Sequence, residues 1–280
     1  MKVNNFHLSW CLNIYAGESW QEINENIFHN APDVFRRLQQ KPLAADKLKE
    51  SGLGLGLRLS AVAVDELHGN TDEFIKNLKK ENLYPFTVNA FPYGNFYISP
   101  VKEKVYFPDW SSAKRVEYSC KTADILAELL PSGVHGSIST VPVTYGKNLP
   151  DNAVKNILKV AAYYRELEKT TGKRIQLALE PEPDCFLETS DETIEFFKLL
   201  KAQDKDLTEK YIGVCLDTCH MALQFEDPLE SLEKLHDAGV AIAKIQVSSA
   251  LCYNPHTAPL SVLDKFNEEI YLHQTIVKSE

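Results

Sequence analysis

Residues 175–186 read IQLALEPEPDCF. Five mostly apolar residues run directly into Glu180, Pro181, Glu182, Pro183 and Asp184. A short apolar run closed by prolines reads as a buried strand, because proline supplies no ladder donor and ends the pairing. Three acids at the end of such a strand are either a solvated loop or a carboxylate cluster aimed at a metal or a substrate. Where the other strand ends lie decides between the two, so the fold has to come first.

Working outward, the same signature recurs. FHLSWCLNI (6–14), LGLGLRLS (53–60), YPFTVNAF (84–91), GSISTVPVTY (136–145), RIQLALE (174–180), YIGVCLD (211–217) and AIAKIQVSS (241–249) are short, apolar and rich in β-branched or aromatic residues. Continuous apolar runs suit strands buried on both faces. Between most of them lie amphipathic helical stretches with readable ends. Asn70 with Glu73, and Thr189 with Glu192, have capping-box spacing. Asp227–Pro228 opens a short helix and Gly239 follows its end. Val154, Ile157, Leu158, Ala161 and Ala162 form one stripe on a helix that Gly172 stops. Strands alternating with helices call for a parallel sheet, and seven or more such units favour a TIM (β/α)8 barrel, expected here as a single domain over residues 1–280. No GxGxxG turn follows the first strand, which weighs against a dinucleotide-binding sheet. An eighth strand is expected over IYLHQTIV (270–277), with no room after it for a closing helix. The barrel is therefore expected to be incomplete at its last strand–helix unit, most simply as a shortened form of a longer protein.

Composition narrows the partners. The chain has 280 residues, 44% of them hydrophobic, and a net charge of −9 without a basic stripe. A polyanion would meet repulsion, so nucleic acid is not an expected partner. No run approaches the roughly 18 apolar residues that span a bilayer, so no membrane span is expected. Six cysteines lie in apolar contexts without a CxxC pair, the usage of a reducing compartment, and a cytoplasmic location is expected.

In a parallel barrel all strand C-termini open at one mouth, where residues far apart in sequence converge. Glu180 closes the fifth strand; Asp217, followed by His220, closes the sixth. An unpaired buried carboxylate costs several kcal/mol, roughly, so each needs a cation, a proton or a donor. A divalent metal is the economical partner: Mg or Mn for oxygen ligands alone, with Mn, Co or Zn favoured once histidine joins. Glu182 and Asp184 are expected in solvent or near a helix on a rigid extended segment, Cys219 in packing, His236 on a surface, and His7 and His135 away from the mouth. The loop after the third strand (91–110) carries Phe91, Tyr93, Tyr106 and Trp110 with Lys102 and Lys104. Either it forms a lid whose aromatics stack on a sugar ring and whose lysines meet an anion, or it packs on itself as a small core. Tyr145, ending the fourth strand, is a further hydrogen-bond donor for a ligand.

The motifs LALEPEP, GVCLDTCH and KIQVSSA, taken in this order, resemble the xylose isomerase-like TIM-barrel superfamily of sugar-phosphate isomerases and epimerases, which also has a zinc endonuclease branch. With HLSWCLNIY near the start and YLHQ near the end, the chain also looks like the metabolite traffic proteins of the Ebo cluster, linked to export of secondary-metabolite precursors. The resemblance implies that Glu180 is a metal ligand and acid/base, Asp217 a metal ligand, and His220 a contact to substrate or metal. The family's strand-seven histidine and the aspartate three residues on are replaced by Gln246 and Ser249, and a glutamine carbonyl is a poorer metal ligand than imidazole. The last family ligand has no clear match, His273 being nearest. Two functions follow as expectations: a metal-dependent sugar or sugar-phosphate isomerase or epimerase, or a non-catalytic barrel that binds and carries a small carbohydrate-like metabolite.

Overall fold

The strand LGLGLR buries every one of its residues, and the strands that pair on either side of it follow the chain order. A computed structural model describes residues 1–94, 102–267 and 274–278. Within them, β1 (Lys2–Val3) and β2 (Phe6–His7) form a small antiparallel hairpin. The main sheet holds β3 (Ser9–Cys11), β4 (Leu53–Arg58), β5 (Leu83–Asn89), β6 (Gly136–Thr140), β7 (Ile175–Leu179), β8 (Ile212–Asp217) and β9 (Ala241–Gln246). Its order is β3-β4-β5-β6-β7-β8-β9, and every neighbouring pair is parallel. Each of the seven expected strands contributes one. The first is shortened because its start turns back into the hairpin.

Helices return the chain between strands, among them Trp20–Gln39, Ala113–Leu129, Ala153–Thr171 and Ser190–Gln203. The sheet curls: the Lys244 ammonium on β9 reaches Ser139 on β6, three strands away, at 3.1 Å. This is the α/β architecture of a TIM barrel, carried through seven strands and left open among the described residues. Of the expected eighth strand, residues 270–273 lie outside the described set, and 274–277 form no strand. The outer face of β9 is correspondingly bare, with Ile245 half exposed and Val247 beyond it 92% exposed.

Local sequence explains most helix ends. Thr189 and Glu192 form the expected capping box, each side chain meeting the other's backbone N–H. Asp227 caps Pro228–Asp237 through the N–H groups of Leu229 and Glu230. Gly172, at φ +69°, stops Ala153–Thr171 in the left-handed region. The capping box expected at Asn70 does not form. Thr71 takes the N-cap position without a side-chain bond, because its hydroxyl is turned to Glu128, and Asn70 bonds the Glu66 carbonyl. The buried stripe of Ala153–Thr171 is Ile157, Val160, Ala161 and Tyr164, rotated by part of a turn from the expected set, with Val154, Leu158 and Ala162 at its margin.

At Gly213, β8 lies too close to β9 to admit a side chain. A Cβ there would stand 2.6 Å from the Ala241 carbonyl oxygen and 3.1 Å from the Ala243 Cβ. Gly213→Ala should therefore destabilise the protein by about 2 kcal/mol, since backbone rather than a flexible side chain must move. A lower urea midpoint at unchanged slope would confirm it, and an unchanged midpoint would contradict it.

Candidate functional site

The C-terminal ends of β7, β8 and β9 bring three expected residues together. Glu180 follows β7, is 4% exposed, and fixes its backbone by donating its N–H to the Thr140 carbonyl at 3.1 Å. Asp217 ends β8 and doubles as N-cap of the short helix Thr218–Leu223, its Oδ1 accepting the Cys219 N–H at 3.0 Å. Gln246 ends β9 and spans the two acids. Its Nε2 donates to Glu180 Oε1 at 2.6 Å and to Asp217 Oδ2 at 3.2 Å. The Ser248 hydroxyl completes the group by donating to Asp217 Oδ1. The two acids therefore do share one guest, but among the described residues that guest is a carboxamide.

His220 lies against the same cluster. Its Nδ1 is 3.1 Å from the Pro181 carbonyl and 4.0 Å from Glu180 Oε1, and its Nε2 is 3.9 Å from Glu182 Oε1. Burial disfavours charge on the imidazole, but the Cys219 side chain and the carboxylates of Glu182, Glu180 and Asp217 together outweigh it and push its pKa up to about 10. It is an imidazolium at neutral pH. Burial is also the main cause that lifts Glu180, to about 7, with Asp217 adding to the rise and His220 and Lys244 opposing it. Glu180 Oε2 is buried with no hydrogen-bond partner. One oxygen of this carboxyl is held by Gln246; the other is buried and unpaired, and the buried Cys215 thiol interacts with the carboxyl.

Glu182 corrects the expectation of a solvated side chain. Only 13% of it is exposed, and its Oε1 accepts the Tyr106 hydroxyl at 2.8 Å. Burial raises its pKa, against the pull of His220, Tyr106 and Gln274. The prolines are the reason: Pro181 and Pro183 are buried, and alternate residues of an extended segment face the same way, so Glu180 and Glu182 both turn inward. Asp184, at φ +64°, is exposed as expected.

The aromatic residues divide. Tyr106 is buried, stacks on Tyr145 with ring centroids 5.2 Å apart, and meets the edge of Phe91 at 5.4 Å. Tyr145, at the margin of the core, is carried there by a strained turn. Val143, a β-branched residue, adopts φ +73°, and Thr144 N–H bonds the Pro142 carbonyl across it. Trp110 is wholly buried and offers no face to a ligand. Tyr93 packs edge-on against Tyr118, beside the Arg115 guanidinium. Arg115 is itself fully buried and holds both arms of the loop by donating to the carbonyls of Pro108, Ala90 and Phe91 at 2.7, 2.8 and 3.1 Å. The described part of the loop thus packs largely as a small core. Its residues 95–101 lie outside the described set, as does His273 at the other end of the chain. Sequence reasoning missed Lys244 and Ser248. Lys244 could have been found by strand parity, since it stands two residues before Gln246 and so faces the same side.

The donor atoms test whether this set fits a divalent cation. Two carboxylates suit one, and the unpaired Glu180 Oε2 would accept it. Gln246 does not fit, because it presents two N–H bonds where a cation would stand. The cluster Asp217, Cys219 and His220 has ligand atoms within 4.8 Å of one another. In it Asp217 Oδ1 is already taken by Ser248 and Cys219, and His220 Nδ1 lies 3.1 Å from the Pro181 carbonyl. As folded, the set Glu180, Asp217 and Gln246 does not fit a divalent metal.

The fold and this cluster define an open α/β barrel with an acid-lined mouth. The chain matches no model of a known protein family and no curated protein. Among solved structures it is similar in arrangement to the 3-keto-D-glucoside 4-epimerase YcjR from E. coli, at 15% identity over 97% of this chain and 92% of that one, with a TM-score of 0.47. It is similar to a xylose isomerase-like TIM barrel protein from Mycobacterium smegmatis in complex with magnesium, at 15% identity over 81% of this chain and 70% of that one, TM-score 0.48. A third is a sugar phosphate isomerase/epimerase from Parabacteroides distasonis, 13% identical over 85% of this chain and 91% of that one, TM-score 0.38. Likeness at this level carries no argument about chemistry, which rests on the side chains. No described helix is long and apolar enough to cross a membrane.

Proposed function

We propose that the mouth binds a small carbohydrate or related polyhydroxylated metabolite and moves a proton at the carbon beside its carbonyl, an isomerase or epimerase reaction with Glu180 as acid/base. One observation carries this reading: Glu180 is a buried carboxyl with an unpaired oxygen and a pKa pushed up to about 7. A base poised near the working pH accepts and returns a proton with the least penalty. His220, held as imidazolium beside it, supplies the positive charge that a developing enediolate oxygen needs. The Lys244 ammonium, bonded to Ser139 across the interior, supplies a second. Tyr145 offers ring and hydroxyl to the sugar, and the buried Tyr106 backs it by stacking. Phe91 and Tyr93 act behind them, as support.

The test is solvent deuterium incorporation into a panel of ketoses and their phosphates, run with and without added Mn2+. Incorporation in the presence of chelator supports the reading as stated. Incorporation only with Mn2+ contradicts the metal-free form of this reading, in which the Gln246 N–H groups occupy both acids. No incorporation into any member sinks the enzyme reading.

A second reading is favoured by a specific observation. Gln246 and Ser249 stand where the resembled family has histidine and aspartate, and a clamp that occupies both acids suits a barrel that holds a metabolite without turning it over.

A further inference from the structure

Gln246 Nε2 carries two N–H bonds, and the two strand-end acids supply one acceptor each, at 2.6 Å and 3.2 Å. Turning the carboxamide over would set its oxygen against Asp217 Oδ2 with no proton between them and leave only a protonated Glu180 as donor, whereas the nitrogen-inward orientation satisfies both acids at once. The neighbouring groups are arranged to match. Ser248 and the Cys219 N–H satisfy the remaining oxygen of Asp217, and Lys244, on the same side of β9, crosses the sheet interior to Ser139. Proton-bearing groups of the chain itself thus occupy three of the four carboxylate oxygens, Glu180 Oε2 remaining unpaired.

We propose that the Gln246 carboxamide stands in for a divalent cation between Glu180 and Asp217, so that the mouth assembles without metal and excludes it. The inference rests on the proposed function only in taking these two acids as the site, and it holds for a catalyst and a carrier alike. It predicts an inverted metal dependence. The wild-type chain gains nothing from metal, whereas a chain deprived of the two N–H bonds needs it.

The experiment is thermal unfolding of chelator-treated protein with and without Mn2+, alongside titration of free Mn2+ by its paramagnetic resonance signal. The wild-type midpoint should be unchanged by Mn2+, with no stoichiometric binding. Gln246→Glu keeps the shape but replaces the donors by a third carboxylate. It should melt lower in chelator and recover by roughly 5–10 °C when Mn2+ is added in large excess over its dissociation constant. Gln246→His should bind Mn2+ at least about tenfold tighter than wild type, because imidazole offers the lone pair that the amide nitrogen lacks. A wild-type midpoint that rises with Mn2+ as far as the Gln246→Glu variant does would overturn the proposal, as would a Gln246→Glu chain indifferent to metal. If that variant does not fold even with Mn2+, the wild-type titration still decides: one tightly bound ion per chain overturns the proposal. Loss of the isotope exchange reaction would bear on the enzyme reading alone, and tight wild-type metal binding on this inference alone.

Discussion

Glu180→Gln should lower solvent deuterium incorporation by roughly 10²–10⁴-fold, the usual contribution of a positioned acid/base, while leaving the fold intact. The substitution is nearly isosteric, and the new amide oxygen can still accept the Gln246 N–H that now reaches Glu180 Oε1. What it removes is a buried carboxyl whose pKa is raised to about 7 and whose second oxygen has no partner. The wild-type rate should also carry a pH signature. It rises as Glu180 loses its proton through about 7 and falls again when His220 loses its own near 10. A Glu180→Gln protein that retains its melting temperature and keeps exchange within about threefold of wild type would remove Glu180 from the chemistry.

The second large effect concerns stability. His220 lies between Glu180 and Glu182, with side-chain nitrogens 4.0 and 3.9 Å from their carboxylate oxygens, and is 14% exposed. Its replacement by glutamine leaves those acids without their cation and should cost about 3 kcal/mol at neutral pH, the lower end for removing one partner of a buried pair. The same proton makes stability fall with pH. The folded chain holds it up to about 10, whereas the unfolded chain releases it near 6.5. The contribution is therefore fully present below the lower value and is lost as pH rises through the higher, by up to about 1.4 kcal/mol per pH unit between them. Glu180 acts in the same direction over a lower window. Its folded pKa is raised from 4.5 to about 7, so the folded state holds the extra proton there as well. Urea unfolding at pH 6, 7.5 and 9 should show a steady decline in wild type and a shallower one in His220→Gln, where only the carboxyls that His220 no longer holds down still release protons. Parallel declines in the two proteins would show that the imidazolium is not the cause.

Gln246 shows what spacing in a sequence can and cannot say. Its place at the end of an apolar run puts it in the mouth, and parity puts it on the face that looks inward. Nothing in the sequence says which end of its amide faces the acids, because that depends on Glu180 and Asp217 arriving from two other strands. Glu182 teaches the converse. Alternation along EPEP would have turned it inward with Glu180, yet a proline-spaced acid beside a strand reads equally well as solvent-facing until Tyr106, 76 residues away in sequence, is seen to bond it at 2.8 Å. Trp110 looked like a stacking platform because aromatic residues in a long loop serve either purpose; only its complete burial separates them.

By itself the sequence determined seven strands, their parallel sense and the helix ends at Thr189, Asp227 and Gly172, because period and capping are local properties; the meeting of residues 180 and 217 followed only once those strands were taken to close on one mouth. The tertiary structure alone decided the charge and donor balance of the mouth: the imidazolium at 220, the raised Glu180, the Gln246 clamp and the Lys244 ammonium reaching across to Ser139. Protonation and hydrogen-bond direction are set by burial and by partners brought in from elsewhere in the chain, and neither is written in any single stretch of it.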